Sequence, residues 1–187
     1  MQDEQIIELY FARKESAIAE TDIKYGRYCL TIAYNILRNN EDSEECKSDT
    51  YMKTWNAIPP GRPGNFRAFI GRIARNLALD MYEKLHRKKR NINSTEAILD
   101  ELAECIPDPN SDIGKMSEDS ELRDAINSFL GTLSEENRRI FVRRYWYASP
   151  IEDIVRDYGY GRSKVKMSLL RTREKLKDYL ESEGITL

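Results

Sequence analysis

Residues 66–80 read FRAFIGRIARNLALD, and they carry the clearest helical pattern in the chain. Apolar residues recur there at steps of three and four, as they do on the buried side of an amphipathic helix. We predict a helix that begins at Phe66 and ends near Lys88, with Arg67 and Arg75 on a side away from the core. Its apolar stripe is predicted to comprise Phe66, Phe69, Ile70, Ile73, Leu77 and either Met81 or Leu85.

The segment PPGRPGN, at residues 59–65, immediately precedes this helix. Its three prolines and two glycines exclude both a helix and a central strand. We therefore predict a loop that proline stiffens, with Asn65 as the N-cap of the helix that follows.

Three further helices are predicted before the loop, over residues 4–19, 22–37 and 42–58. Acidic residues crowd the first turn of the third helix, where the helix dipole favours negative charge. Met52 and Trp55 are the predicted apolar anchors of this helix.

Residues 91–117 are dominated by acidic side chains and are interrupted by prolines. We predict a linker there, extended or flexible at least in part, with room for a short helix over residues 95–105. Helices resume at Glu118; Gly131 is expected to end the first of them, and Ser134 to cap the next.

The last part of the chain is predicted to contain a short helix over residues 151–158, which Pro150 begins and Gly159 ends with a positive φ. A longer helix follows over residues 163–180. This pattern is that of a helix-turn-helix, whose second helix presents its N-terminal half to the major groove of DNA. A basic helical hairpin without a ligand would show the same pattern. The cations predicted to face DNA are Lys164, Lys166, Arg171 and Arg173.

The net charge of −2 conceals a strong segregation of charge along the chain. Residues 66–90 contain eight basic and two acidic residues, and residues 160–177 contain seven basic and one acidic. Between these blocks, residues 91–120 contain eight acidic residues and one lysine. Solvated helix faces could account for one basic block, but two of them on amphipathic helices favour two nucleic-acid-binding surfaces.

The remaining features exclude several classes of protein. The three cysteines form no CxxC pair or disulfide framework, and we predict that Cys29 and Cys46 are buried in helices. We find no phosphate-binding loop, no metal-ligand spacing and no nucleophile beside a base, so neither catalysis nor a cofactor is expected. His86 lies in a basic run and is not interpreted as catalytic. Without an apolar leader or a membrane-spanning stretch, the protein is expected to be cytoplasmic.

Residues 66–80 closely resemble the region-two helix of the extracytoplasmic-function (ECF) sigma factors of bacterial RNA polymerase, whose pattern is roughly FRAWLxRIARNLxxD. Residues 42–55, DSEECKSDTYMKTW, resemble the acidic core-binding helix of that family. Residues 133–140 and 151–173 resemble its region four. The three motifs occur in the family's order, from about residue 22 to residue 180.

The resemblance implies an all-α chain that contains two small helical domains. Region two would occupy residues 1–90, an acidic linker residues 91–117, and region four, with the helix-turn-helix, residues 118–187. Such a protein would bind core RNA polymerase and direct promoter-specific initiation, without catalysing a reaction itself.

In this family the acidic helix meets the clamp coiled coil of the largest polymerase subunit. Ser48 and Asp49 stand where the family usually has Gln and Glu, so that contact would be rearranged. The acids would also suit the helix dipole without any partner. The residues expected to contact polymerase are Asp42, Glu45, Asp49, Tyr51 and Trp55.

The loop at residues 58–65 corresponds to the segment that captures a flipped base of the minus-ten promoter element. A preordered loop would lose less entropy on binding an unstacked base. Phe66 could stack on a base, or serve as an apolar anchor of the first helical turn. The residues expected to contact the minus-ten element are Arg62, Asn65, Phe66, Arg67, Arg75 and Asn76.

The last helix would approach the minus-thirty-five element. Gly161 replaces a common N-cap serine of the family, and Ser168 and Leu170 stand where Arg and often His are found. Leu170 could therefore touch a thymine methyl group instead of donating a hydrogen bond. The residues expected at this element are Arg162, Ser163, Lys164, Lys166, Met167, Leu170 and Arg171.

Two alternatives and one further partner accompany this interpretation. A helix-turn-helix regulator acting without polymerase would use the N-terminal half to dimerise, and a basic helix there would have little purpose. An enzyme is the other alternative, but no catalytic arrangement supports it. The resemblance also implies an anti-sigma protein as a partner, whereas the acidic linker could itself shield the basic helices.

Overall fold

The structure is a computed structural model that describes residues 1–86, 95–103, 105 and 118–185. All regular secondary structure within these residues is helical, which confirms the predicted all-α class. The chain divides into two compact units, Met1–Arg90 and Asn91–Leu187. None of the described helices is long and apolar enough to cross a membrane.

The first unit is a bundle in which α2, α3 and α4 pack against one another and α1 packs on α2. The prediction for residues 66–88 is confirmed as far as His86, and the basic residues at 87–90 lie outside the described part. The four helices are α1 (Asp3–Phe11), α2 (Ser16–Leu37), α3 (Asn40–Ala57) and α4 (Phe66–His86).

Aromatic rings gather around Phe66 at the start of α4. The Phe66 ring centre lies 6.0 Å from that of Tyr10 and 5.7 Å from that of Tyr25. Phe66 is 1% exposed, and Ile70 on the next turn is fully buried. The predicted stripe of α4 is thus confirmed at Phe66, Ile70 and Leu77, whereas its members Phe69, Ile73 and Met81 are only partly buried.

The first helix is shorter than predicted, because α1 ends at Phe11 instead of near residue 19. Arg13 has a φ of 52°, and its guanidinium donates a hydrogen bond of 2.7 Å to the carbonyl of Trp55. The same guanidinium lies 5.2 Å from the centre of the Trp55 ring. This break turns the chain so that Ile6 and Tyr10 are buried against the following helices.

Small residues form most of the buried side of α3, and of the two predicted anchors only Trp55 packs inward, with its ring centre 6.0 Å from that of Tyr10. Met52 is 55% exposed, so its prediction as an anchor is wrong. The hydroxyl groups of Thr50 and Thr54 donate to carbonyls one turn back, at 2.7 and 2.8 Å, and are therefore satisfied inside the core. The fully buried residues of this side are Ser43, Cys46, Thr50 and Thr54.

The cysteines predicted to be buried in helices are buried. Cys29 on α2 and Cys46 on α3 are both fully shielded from solvent. Burial raises the pKa of Cys29 to about 12 and that of Cys46 to about 11, so both remain thiols at neutral pH.

The proline-rich loop leads directly into a capped helix. The Asn65 side chain accepts a hydrogen bond of 2.9 Å from the Ala68 amide, which confirms the predicted N-cap. At the other end of the loop, the Gly61 amide donates to the Ala57 carbonyl at 3.1 Å. The loop is therefore tied at both ends to the helices that it joins.

The second unit contains five α-helices in its described part. The predicted Ser134 cap is confirmed, because the Ser134 hydroxyl accepts from the Asn137 amide at 3.3 Å. Gly131 does not end its helix, which continues to Thr132. The elements are α5 (Thr95–Ala103), α6 (Glu118–Thr132), α7 (Glu135–Phe141), a π-helical segment (Val142–Trp146), α8 (Ile151–Tyr158) and α9 (Arg162–Ser182).

The helix-turn-helix pattern is present in the second unit. Gly159 follows α8 with a φ of 68°, as predicted, and Gly161 is the N-cap of α9. Ile154 of α8 is fully buried, as is Val165 of α9, so the two helices brace each other across the turn.

Gly159 and Gly131 provide a matched test of this turn, because a Cβ atom added at either would meet no atom within 4 Å. Of these two glycines, only Gly159 has a positive φ. We expect Gly159→Ala to lower the free energy of unfolding by about 1 kcal/mol, because an L side chain is strained there. Gly131→Ala, inside α6, should raise it by about 0.5 kcal/mol. Urea unfolding followed by circular dichroism measures both changes. Equal effects of the two substitutions would contradict the positive φ assigned to Gly159.

Candidate nucleic-acid and polymerase interfaces

The outward side of α3 is an acidic stripe. Successive residues of an α-helix differ by about 100° around the axis, so positions four apart share a face. Glu45 and Asp49 are exposed on α3, whereas Cys46 and Thr50 on the neighbouring side of the helix are buried. We call this surface the acidic stripe, and its members are Glu41, Asp42, Glu45 and Asp49, with the exposed Met52 beside them.

The first turn of α3 shows why the dipole interpretation of these acids is also physically sound. The Asn39 side chain accepts hydrogen bonds from the amides of Glu41 and Asp42, at 2.8 and 3.2 Å. Asn39 thus caps the helix, and the carboxylates of the same turn complement its positive end. Glu45 and Asp49 lie beyond this first turn, so the dipole accounts less well for their position.

Tyr51, predicted to contact polymerase, is instead part of the fold. Its side chain is 6% exposed, and its hydroxyl donates a hydrogen bond of 2.7 Å to the Asp22 carboxylate. Burial and the neighbouring carboxylate raise the pKa of Tyr51, so the hydroxyl stays protonated and bonded to α2. We therefore correct the role of Tyr51 from a polymerase contact to a tie between α2 and α3.

Trp55 is partly buried beside an open groove between α2 and α3. The groove has a volume of about 720 Å³, and Ile18 and Asp22 line its α2 side. Met52 and Trp55 line its α3 side, next to the acidic stripe. Apolar and acidic surfaces therefore adjoin on α3.

The cations of α4 do not all share one face. Arg67 and Asn76 are nine residues apart and point to opposite sides of the helix. Arg75 is half-buried, and its burial lowers its pKa. Arg72 is exposed and lies between Arg75 and Asn76 around the helix axis. Sequence reasoning overlooked Arg72, although this residue belongs to the basic block of residues 66–90.

The remaining minus-ten candidates are partly engaged within the first unit. Arg62 pairs with Glu8, and its guanidinium lies 5.0 Å from the centre of the Phe11 ring. The Arg67 guanidinium lies 4.9 Å from the Tyr28 ring centre and is exposed. The DNA contact predicted for Phe66 is corrected, because the ring is buried among tyrosines and cannot stack on a base.

The cations in the first turns of α9 differ in whether they form ion pairs. Arg162 pairs with Glu152 at 2.8 Å, and Lys164 pairs with Glu136 at 2.7 Å. Lys166 and Arg171 are exposed and make no ion pair with any residue that the structure describes. These two cations are therefore the ones most readily available to a polyanion.

Arg173, which we expected to face DNA, is instead held inside the second unit. Its guanidinium donates to the Tyr145 hydroxyl at 2.7 Å and to the Glu101 carboxylate at 3.3 Å. The same carboxylate pairs with Arg144, which is 2% exposed and also donates to the Ser149 carbonyl at 3.1 Å. The Tyr145 hydroxyl also donates to this carboxylate, at 3.1 Å, so that Glu101 bonds to three groups of the unit, which we call the Glu101 cluster.

The π-helical segment brings two consecutive arginines into the interior. Its wider turn is marked by the Tyr147 amide, which donates to the Val142 carbonyl five residues back, at 3.2 Å. Arg143 pairs with Asp157 at 3.0 Å, while Arg144 joins the Glu101 cluster. Charge alone would have assigned both arginines to the surface.

The Glu101 cluster also bears on the predicted linker. Glu101 belongs to α5, which lies within the segment assigned to the linker, and Ile98 of the same helix is fully buried. Among the basic residues of α9, Glu101 pairs with Arg173 and leaves Lys166 and Arg171 exposed. Shielding of the basic helix by α5 therefore reaches Arg173 alone within the described part, and the assignment of residues 91–117 to a linker stays a prediction.

Parts of this chain are similar to known proteins. Residues 23–88 match the family model of sigma-70 region 2, which spans most of α2, all of α3 and the loop and α4 that follow. The class of the first unit is thereby defined as a sigma-70 region 2 domain. The chain is also 27% identical over 151 residues to the ECF RNA polymerase sigma factor SigE of Mycolicibacterium smegmatis.

That alignment covers 80% of this chain and 56% of the relative, so the chain spans little more than half of the relative's length. Together with the matched region 2, it makes most of this chain similar to an ECF sigma factor. Within the described residues, no group of His, Cys, Asp and Glu side chains is arranged to hold a metal ion.

Removal of the Glu101 charge should weaken the second unit. Glu101→Gln leaves the buried Arg144 without a full counter-charge, and we expect the free energy of unfolding to fall by about 2 kcal/mol, because loss of one partner of a buried pair is costly. The neighbouring Asp100→Asn is the control, since Asp100 is exposed and should change stability by under about 0.5 kcal/mol. Equal effects of the two substitutions, measured by urea unfolding, would contradict the role of the cluster.

The same carboxylate should make stability depend on pH. Burial raises the pKa of Glu101, but the hydrogen bond and charge of Arg144, with Tyr145 and Arg173, outweigh burial and hold the pKa below its usual value of 4.5. The cluster therefore stabilises the fold above that unfolded-state value, and the contribution is lost as the pH falls through the folded-state value. As the pH is lowered, the free energy of unfolding of the Glu101→Gln variant should therefore fall less than that of the unmodified chain.

Proposed function

We propose that this protein binds core RNA polymerase and directs promoter-specific transcription initiation by contacting the minus-ten and minus-thirty-five elements. The observation that carries the proposal is a sigma-70 region 2 domain that exposes an acidic stripe on α3 and cations on the adjacent α4. A protein surface and a nucleic acid can then engage different helices of one small bundle.

Polymerase binds the acidic stripe in this proposal. Asp42, Glu45 and Asp49 offer carboxylates along about two helical turns, and the groove beside Trp55 offers apolar surface. A basic coiled coil, such as the clamp of the largest subunit that the family resemblance implies, complements both the charge and the elongated form of this surface.

The minus-ten element binds the loop and α4. Arg62 reaches DNA by exchanging its exposed pair with Glu8 for a phosphate, which costs little because exposed ion pairs contribute at most about 1 kcal/mol. Asn65 remains the N-cap, with its exposed amide group available beside the loop. The helix supplies its cations on more than one side, so the opened strand follows a curved path around it. The proposed contacts are Arg62, Asn65, Arg67, Arg72, Arg75 and Asn76.

The minus-thirty-five element binds the first three turns of α9. Lys166 and Arg171 supply the readily available charge, while Arg162 and Lys164 exchange their pairs with Glu152 and Glu136 for phosphates. Steric access is provided by the turn at Gly159, which leaves the N-terminus of α9 exposed. Ser163, Met167 and Leu170 lie between these cations.

The family resemblance also implies an anti-sigma protein as a regulatory partner. Its binding would have to cover the acidic stripe or the basic face of α9 to block either proposed interaction. The protein itself acts as a dissociable subunit and not as an enzyme.

The proposal is tested by mixing the purified chain with core RNA polymerase and assaying a promoter library. We expect co-elution with core and transcripts from a defined subset of promoters. Failure to associate with core would overturn the proposal. Specific binding of palindromic duplexes without polymerase would instead identify a helix-turn-helix regulator that acts alone.

Reversal of two charges should identify the polymerase surface. The double variant Glu45→Lys with Asp49→Lys is expected to weaken core binding at least about tenfold, because like charges then meet across the interface. Glu4→Lys with Glu83→Lys is the control, since it makes the same change of charge in the same unit away from α3. Equal losses of affinity in a core-binding titration would refute the proposed surface.

Neutralisation of cations on α9 should reduce the salt dependence of promoter binding. Lys166→Ala with Arg171→Ala is expected to lower the slope of log affinity against log salt concentration by about two, or about one per phosphate contact. Lys175→Ala is the control, because Lys175 is an exposed cation in the later turns of α9. It should change the slope less than Lys166→Ala alone or Arg171→Ala alone. An unchanged slope in the double variant would remove these residues from the interface.

A further inference from the structure

The outermost side of α9 carries two apolar side chains. The buried stripe of this helix comprises Val165, Leu169, Thr172 and Leu176. At about 100° per residue, the positions directly opposite that stripe are 163, 167, 170 and 174. Met167 and Leu170 are 44% and 41% exposed there, and we call these two residues the apolar ridge.

Cations border the apolar ridge on both sides. Lys166 lies on one side of the ridge around the helix axis, and Lys164 and Arg171 lie on the other. All three are exposed. This arrangement complements a partner that has two rows of negative charge with apolar groups between them. A DNA duplex offers such an arrangement, because the phosphate rows flank a major groove whose floor carries the C5-methyl groups of thymine.

Few hydrogen-bonding groups remain on the ridge itself. Ser168 lies beside the ridge, but its hydroxyl donates to the Asn137 side chain at 2.7 Å, within the unit. Ser163 is the one hydroxyl on the outermost side within the first three turns of α9. The centre of the helix is therefore suited to apolar contacts, and the flanking cations to phosphates or guanine edges.

We propose that Met167 and Leu170 recognise the C5-methyl groups of thymines on neighbouring base pairs of the minus-thirty-five element. This proposal rests on the proposed function and specifies how its second DNA element is read. Residues three apart on a helix are separated by about 4.5 Å along the axis, which is close to the spacing of about 3.4 Å between base pairs. The two side chains can thus reach two successive pairs.

Replacement of thymine by deoxyuridine tests the proposal directly, because it removes the methyl group and keeps every hydrogen bond of the base pair. The upstream element is first selected from a randomised duplex library with the full chain bound to core polymerase. Each thymine of the selected element is then replaced singly by deoxyuridine. At one or two adjacent positions we expect affinity to fall about threefold to fourfold, which corresponds to burial of one methyl group.

Variants then assign each methyl group to a side chain. Met167→Ala and Leu170→Ala should each abolish the deoxyuridine effect at one position, because each removes the side chain that contacts one methyl group. Both variants should fold, since both residues are exposed and alanine is an excellent helix former. Lys166→Ala is the matched comparison, and it should weaken binding to the thymine and deoxyuridine duplexes equally. Circular dichroism and core binding report whether each variant is folded and active.

The outcomes separate this proposal from the proposed function. If the chain binds core and initiates transcription but no deoxyuridine substitution changes affinity, methyl recognition is overturned and the sigma-factor function stands. Persistence of the full effect in both alanine variants would overturn the assignment to the apolar ridge. Failure to bind core would overturn the proposed function itself.

Discussion

The burial of one stripe on each principal helix sets the rotation of that helix about its axis, and this constraint determines which charges reach the solvent. In α9 the stripe that includes Val165 and Leu169 is apolar, and its burial directs Lys166 and Arg171 outward. In α4 the burial of Phe66 and Ile70 has the same effect. The exposed charge patterns are thus consequences of packing. The core of each unit determines which side chains are available to the proposed interfaces.

The third helix obeys the same constraint with different chemistry. Its buried side consists of Tyr51, which bonds to α2, and of small residues, of which Thr50 and Thr54 bond through their hydroxyl groups to the helix's own backbone. The contacts of α3 with α2 and α4 are therefore made largely by small side chains. The outward side is left free to carry Glu45 and Asp49. A helix packed in this way has little apolar contrast between its two sides, although its rotation is as well defined as that of α4.

This difference explains what could be predicted from the sequence. The stripe of α4, the cap at Asn65 and the turn at Gly159 depend on local spacing and backbone conformation, and each was predictable. The rotation of α3 was not, because hydrophobicity pointed to Met52, which is exposed. The interior positions of Tyr51 and Arg144 depend on partners 29 and 43 residues away, and no local pattern encodes such pairings. Among the predicted site residues, Lys166 and Arg171 are exposed and can reach a ligand, whereas Phe66 and Tyr51 are buried.

The Glu101 cluster has a consequence for how the chain can be divided experimentally. A fragment that starts at residue 118 would contain the whole helix-turn-helix yet lack the carboxylate that neutralises Arg144 and orients Arg173. Such a fragment would have to bury a cation without its counter-ion or expose part of its interior to water. An autonomous C-terminal fragment should therefore begin upstream of α5, even though α9, the helix proposed to read DNA, begins more than sixty residues later.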